Sequence, residues 1–246
     1  MSESLYDRIG VGYSEHRRPD PRIAARVEAA LGECRSVLNV GAGAGSYEPR
    51  NRSVVAVEPS AEMIRQRPPG VAPVLQADAV RLPFMDRSFD ASLAILTVHH
   101  WPDKARGLAE MRRVARERVV ILSWDPEHEG FWLVQDYLPK IREIDRLQFP
   151  TLRELETAIG PIESEALAIP ADCRDGFLGA YWRRPAAYLD PRVRAAISIF
   201  SKLDATAAMA RLERDLADGT WRSRHGELLA YSELDVGYRL IVARCA

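Results

Sequence analysis

The stretch Val37-Leu38-Asn39-Val40-Gly41-Ala42-Gly43-Ala44-Gly45-Ser46 is a short apolar run that stops in glycines at alternate positions. The run predicts a buried parallel strand. The glycines predict a turn that takes positive φ angles and lets a ligand approach the backbone closely. Taken alone, this turn suits many nucleotide-like ligands, so the residues on either side of it decide the reading.

Toward the C-terminus, Ser53–Val57 is a second apolar run that ends in Glu58-Pro59. The connection 41–52 is near the lower limit for a parallel crossover, and Pro49 confines it further. At most a turn or two of helix is expected there. Ser60 can cap a helix through Arg67, which Pro68-Pro69-Gly70 stops. Val71–Gln76, Phe89–Leu96 and Val119–Trp124 follow as strands, with a helix over Asp103–Ala115 whose Ala105, Leu108, Met111 and Val114 share a face. Beyond Trp124, Phe131–Leu147 has a long helical pattern rich in aromatics, and Thr151–Ile159 is a short helix with Thr151 as N-cap and Glu154 at N3. Ile162–Ile169 and Tyr238–Cys245 complete the strands, and helical periodicity returns between them in Pro191–Leu203 and Thr206–Ala217.

Toward the N-terminus, Arg22–Leu31 is an amphipathic helix preceded by a polar arm that carries Tyr13 and Arg17. Those two residues fit a frayed arm or a flap closing over the ligand site. The expected architecture is α/β, a doubly wound, mostly parallel seven-stranded sheet with a helical insertion before the last strand. Residues 1–34 form the arm and helix, 35–170 with 236–246 the α/β core, and 171–235 a helical cap.

Composition narrows the classes. The 246 residues carry 34 Lys and Arg against 35 Asp and Glu, a net charge of -1, which leaves no electrostatic footprint for nucleic acid or anionic membrane. Cys34, Cys173 and Cys245 are scattered, without a CxxC or Cys/His cluster, so neither a metal site nor a disulfide framework is expected. The first residues have no apolar signal-peptide core, and no run reaches the roughly 18 apolar residues of a membrane helix. A cytoplasmic protein, monomeric or homodimeric, is the expectation.

In an open α/β sheet, ligands bind outside the carboxyl ends of the strands. Four such ends are distinctive here: the glycine turn, Glu58, Asp78-Ala79 and His99-His100-Trp101. A carboxylate after strand two can accept both hydroxyls of a ribose, and one after strand three can accept from an exocyclic adenine amine. Each signal alone is weak, since an acid after a strand is often only a helix cap; the four together are strong. A nicotinamide or flavin site would need glycine where Ser46 stands and a full helix behind it, and the sequence has neither.

On the segments VLNVGAGAGSYEP (37–49), VVAVEPSAEMI (54–64) and QADAVRLPFMDRSFDASLAILTVHHW (76–101), the chain resembles the class I S-adenosylmethionine-dependent methyltransferases of the UbiE-like type 11 group. The resemblance covers about 35 to 124. It implies S-adenosyl-L-methionine as cofactor and S-adenosyl-L-homocysteine as product. It implies that Gly41, Ala42, Gly43 and Gly45 pass beneath the methionine part and that Glu58 binds the ribose. Pro59 and Met63 would then flank the adenine, Asp78 with Ala79 would hold its amine edge, and Leu96 and Thr97 would line the floor near the sulfonium. One departure is the missing Pro-Gly-Gly turn before strand five, where Arg116-Glu117-Arg118 stands; that connection is expected to be short.

Methyl transfer needs alignment and water exclusion, and a general base only if the acceptor must lose a proton. His99 and His100 are the candidate bases, and strand alternation predicts at most one of them at the acceptor. The acceptor pocket is sought in Trp124, Trp132 and Tyr137 after strand five and in Phe177, Tyr181 and Trp182 of the insertion, about half of which suit a cap's own core; Trp101 suits a pocket wall or the core equally. The sequence thus points to a methyltransferase acting on a small aromatic or apolar metabolite, with a catalytically silent cofactor-binding partner or regulator as the alternative.

Overall fold

β1 (Ser36–Val40) lies in the middle of a parallel array, with β2 (Ser53–Val57) on one side and β4 (Phe89–Ile95) on the other. The computed structural model describes residues 17–245. Tyr13 lies outside them. β3 (Val74–Leu75) pairs with β2, and β5 (Ala115–Trp124) with β4, all parallel. β9 (Tyr238–Arg244) then runs antiparallel between β5 and β6 (Ile162–Ala166), giving the order β3-β2-β1-β4-β5-β9-β6. This is the mostly parallel, seven-stranded sheet expected from the alternation of strands and helices.

Strand alternation divides the core between the two faces. Val37, Leu93, Val120 and Leu240 point to one side, where α1 (Pro21–Leu31) and the cap pack. Leu38, Ala94, Ile121 and Ile241 point to the other, against α3 (Lys104–Val114) and α5 (Leu152–Ile159). The first of these cores is continuous from α1 through the sheet into the cap. α1 starts at the Asp20 N-cap with Pro21 in its first turn and ends at Gly32, which takes a positive φ of 54°.

Several elements differ from the sequence reading. The connection 41–52 holds only turns and no helix, because Gly41, Gly43, Gly45 and Tyr47 all take positive φ, a conformation incompatible with a helix. Arg116-Glu117-Arg118 are in β5, which follows α3 directly at Ala115. The long pattern 131–147 splits into a π-helical turn over Leu133–Tyr137 and α4 (Lys140–Gln148), with Pro139 at the break. Within 171–235, α6 (Pro191–Ala195) is shorter than its periodicity suggests. α7 (Thr206–Ala217) forms as expected and α8 (Thr220–His225) follows it. A small ribbon of β7 (Ile169–Pro170) and β8 (Glu233–Leu234) closes the base of the cap. No helix among the described residues is long and apolar enough to cross a membrane, and all three cysteines are free thiols.

Candidate active site

The carboxyl ends of β1, β2 and β4 open onto a cavity of about 250 Å³. Gly41, Ala42, Gly43, Glu58, Pro59, Met63, Asp78, Ala79, Leu96, Thr97, His100 and Trp101 all line it, together with Arg17. The glycines are required by packing as well as by backbone angle. Gly41 has φ +69°, and a Cβ there would sit 2.2 Å from Thr97 Oγ1. At Gly43 a Cβ would press to 3.2 Å from Met63 Cε. Gly45 does not reach the cavity lining; a Cβ there would sit 3.4 Å from Arg67 and Glu48, whose buried ion pair of 2.7 Å braces the turn from behind.

Glu58 is 5% exposed. Its carboxylate accepts the Gly43 N–H at 2.8 Å and the Ser60 N–H at 2.9 Å. The residue after β2 therefore ties the glycine turn to α2 (Ala61–Arg65) while facing the cavity. Asp78 accepts the Val80 N–H at 3.1 Å, as a cap of the short 3-10 turn Ala79–Arg81. Leu96 takes φ +51°, a costly conformation for a side chain of that size, held by its N–H bond to Leu122 O of 2.8 Å.

Leu96 and Arg17 also line a second, smaller chamber of about 80 Å³. Its walls are Trp124, Phe131, Phe149, Phe177 and Tyr238, and its polar side chains include His99, Asp145, Gln148 and Lys202. The two neighbouring histidines part company here: His100 borders the larger cavity and His99 the smaller. His99 stacks on Phe149, with ring centroids 4.1 Å apart, and its Nδ1 is buried with no hydrogen-bond partner among the described residues. Burial lowers both imidazoles, His100 to about 3 and His99 well below its ordinary value, and the cations Lys202, Arg17 and Lys104 add to the effect. Both rings are neutral at physiological pH and hold a proton poorly.

The other aromatics divide between chamber and cap core. Trp124 lines the chamber and donates Nε1–H to Val236 O at 2.8 Å; Phe177 lines it too, edge-on to Tyr238. Trp132 and Trp182 are buried in the cap, where their indole N–H groups bond to Trp182 O and Ile169 O. Tyr137 bonds to Asp215 at 2.7 Å, and Tyr181 packs edge-on to Tyr188 under the Arg184 guanidinium. These four are absent from the lining of either cavity. Trp101 faces the larger cavity and packs on Gly107, where a Cβ would meet its ring at 2.5 Å.

Sequence reasoning passed over two groups. One is a latch between the cap and the glycine turn. Buried Asp175 accepts Arg17 Nε–H at 2.6 Å and the Tyr47 hydroxyl at 2.9 Å, while Tyr47 Oη also accepts the Asp20 N–H at 3.3 Å. The other is Asp145, which is 5% exposed and occupies the same buried stripe of α4 as Ile141. A carboxylate four residues after an isoleucine on the apolar face of a helix was a legible signal.

Residues 26–122 match the family described as methyltransferase domain. A crystal structure from Anabaena variabilis, described as a methyltransferase from an antibiotic biosynthesis pathway, is 31% identical and superposes with a TM-score of 0.84, covering 93% of this chain and 98% of that one. The chain belongs to the S-adenosylmethionine-dependent methyltransferases. Among curated relatives, the chloroplastic 2-methyl-6-phytyl-1,4-hydroquinone methyltransferase 2 of Oryza sativa is 32% identical over 108 residues, 39% of this chain and 31% of that protein. The O-methyltransferase cnsE of Penicillium expansum is 31% identical over 157 residues, 52% of this chain and 56% of that protein. The chain thus spans between about a third and a little over half of these two relatives.

Proposed function

We propose that this protein transfers a methyl group from S-adenosyl-L-methionine to a small apolar or aromatic acceptor. The observation that carries the reading is the single cavity into which the glycine turn, Glu58, Asp78 and Thr97 all face. The donors fit the cofactor's chemistry. The buried Glu58 carboxylate, oriented by the Gly43 and Ser60 N–H groups, suits a pair of ribose hydroxyls. Asp78 suits an adenine amine, Pro59 and Met63 the faces of the base, and the Cβ-free backbone of Gly41 and Gly43 the methionine portion. When bound, the cofactor supplies a methyl carbon made electrophilic by its sulfonium.

The chain's own contribution is alignment and exclusion of water. Leu96 and Thr97 close the floor of the cavity, and Arg17, held by Asp175, stands at its junction with the smaller chamber. The cap, 171–235, supplies Phe177, Ile197, Ile199 and Lys202 to that chamber, which supports reading it as the unit that shapes the acceptor site. Because both imidazoles hold a proton poorly, a histidine base is the less favoured route for any acceptor proton.

Calorimetry with S-adenosyl-L-methionine and S-adenosyl-L-homocysteine tests the reading. Binding in the micromolar range is expected, and no heat at roughly 100 μM ligand, within the usual range of enzyme KM values, would overturn it. Methyl incorporation across a panel of hydroxyl, amine and carbon acceptors then separates an active enzyme from a silent binder.

A further inference from the structure

Building on the methyltransferase reading, we propose that the smaller chamber binds a single-ring hydroxyl compound, a phenol or its enol equivalent. Its O–H donates to Asp145, and its oxygen accepts from Lys202. The chamber sets polar side chains among apolar walls. Asp145 and Gln148 come from α4, and Lys202 enters from the cap with its Nζ donating to Gln148 Oε1 at 2.6 Å. Trp124, Phe149 and Phe177 supply flat surfaces on which a ring can stack.

Asp145 is the unusual member. A 5%-exposed carboxylate that borders a cavity and accepts no hydrogen bond among the described residues is a costly arrangement. Burial pushes its carboxyl up to about 7, with Lys202 pulling the other way. A hydroxyl arriving from a ligand satisfies the carboxylate.

The charges select the ligand class. An ammonium would face Lys202, and a carboxylate would face Asp145; a neutral hydroxyl satisfies both. Volume limits the ligand to one ring: about 80 Å³ is below the roughly 150 Å³ of an apolar cavity that admits benzene, so a single ring is seated only with its edge in the larger cavity, which shares Leu96 and Arg17 with the chamber. The other ionisable groups lining the chamber are His99, neutral in this range, Arg17, paired with Asp175, and Tyr238, raised by burial. Near neutral pH the titrating group in the chamber is therefore Asp145.

The test uses fluorine NMR of 4-fluorophenol with the full protein saturated in S-adenosyl-L-homocysteine, and fluorobenzene as the ring without a hydroxyl. The expected result is 4-fluorophenol binding that tightens from pH 6 to pH 8 as Asp145 ionises. Fluorobenzene should bind at least ten-fold more weakly. Asp145→Asn should flatten the pH profile, and Asp145→Asn and Lys202→Met should each cost ten-fold or more, the usual worth of a hydrogen bond to a charged group. Both variants should keep wild-type affinity for S-adenosyl-L-homocysteine, which shows that they are folded. Equal binding of fluorobenzene, no 4-fluorophenol binding by protein that binds S-adenosyl-L-homocysteine, or an unchanged pH profile in Asp145→Asn would overturn the proposal. Failure of S-adenosyl-L-homocysteine to bind at all would instead overturn the methyltransferase reading.

Discussion

The two cavities that meet at Leu96 are built by different rules. The larger is made by strand ends and their turns. Its lining is largely backbone and short side chains, and apart from Arg17 it comes from residues 39–102. The smaller is made by side chains brought from β5, α4, the cap and β9, between Leu96 and Tyr238, again with Arg17 joining from the arm. A site of the first kind tolerates changes in distant segments and fails when a glycine or a strand-end acid changes. A site of the second kind depends on how the cap sits, and substituting one wall residue can alter its shape without unfolding the sheet.

The latch joining the two regions offers the strongest test. Asp175→Ala leaves Arg17 and the Tyr47 hydroxyl without their buried acceptor. Truncating one partner of a buried pair costs about 3–5 kcal/mol, so denaturant unfolding should show a loss of that order. A loss under about 1 kcal/mol would mean that cap and turn are held together by apolar packing alone.

Next comes the carboxylate of the smaller chamber. Its folded-state pKa is raised from 3.8 to about 7, so Asp145 stabilises the fold only while protonated. That advantage is complete below the unfolded value and is lost as pH rises toward 7. At about 1.4 kcal/mol per unit, replacing it by neutral Asn should stabilise the protein by up to about 4 kcal/mol more at pH 8 than at pH 4. The lowered histidines titrate alike in both proteins and cancel from the difference. Equal stabilisation at the two pH values would show Asp145 to be hydrated rather than buried.

A pair of glycine substitutions separates backbone strain from collision in the larger cavity. Gly70→Ala, with φ +84° and open space around its Cβ, should cost about 1–2 kcal/mol for the left-handed backbone alone. Gly41→Ala carries similar strain and the 2.2 Å overlap with Thr97, so its melting temperature should fall further, at about 2–4 °C per kcal/mol for a chain of this length. Equal losses would mean that Thr97 moves aside freely.

The last change is read in cofactor binding rather than in the fold. Glu58→Ala should weaken S-adenosyl-L-homocysteine binding by about 1.5–3 kcal/mol for each charge-assisted bond lost, measured by calorimetry. Unchanged affinity would detach Glu58 from ribose recognition.

The larger cavity was legible because each of its parts is local. An apolar run ending in alternate glycines, and an acid directly after the next strand, fix where the backbone turns and which carboxylate faces the cavity. The latch was not legible, since nothing near Tyr47 or Arg17 in the chain announces Asp175. The aromatic residues were ambiguous for the same reason. Trp124 and Trp132 carry the same side chain, yet one lines a chamber and the other is buried outside either cavity. Asp145 lay between these cases: its place on the buried stripe of α4 could be read from spacing, but its sharing a chamber with Lys202 could not.

The sequence by itself determined the sheet, the turn and the cofactor side, because alternation, glycine angles and strand-end acids act over a few neighbouring residues. Only the tertiary structure decided which histidine faces which cavity, which aromatics form a wall, and that a carboxylate and an ammonium line the same small chamber. Those outcomes depend on contacts between segments far apart in the chain, and local propensity says nothing about which of them will meet.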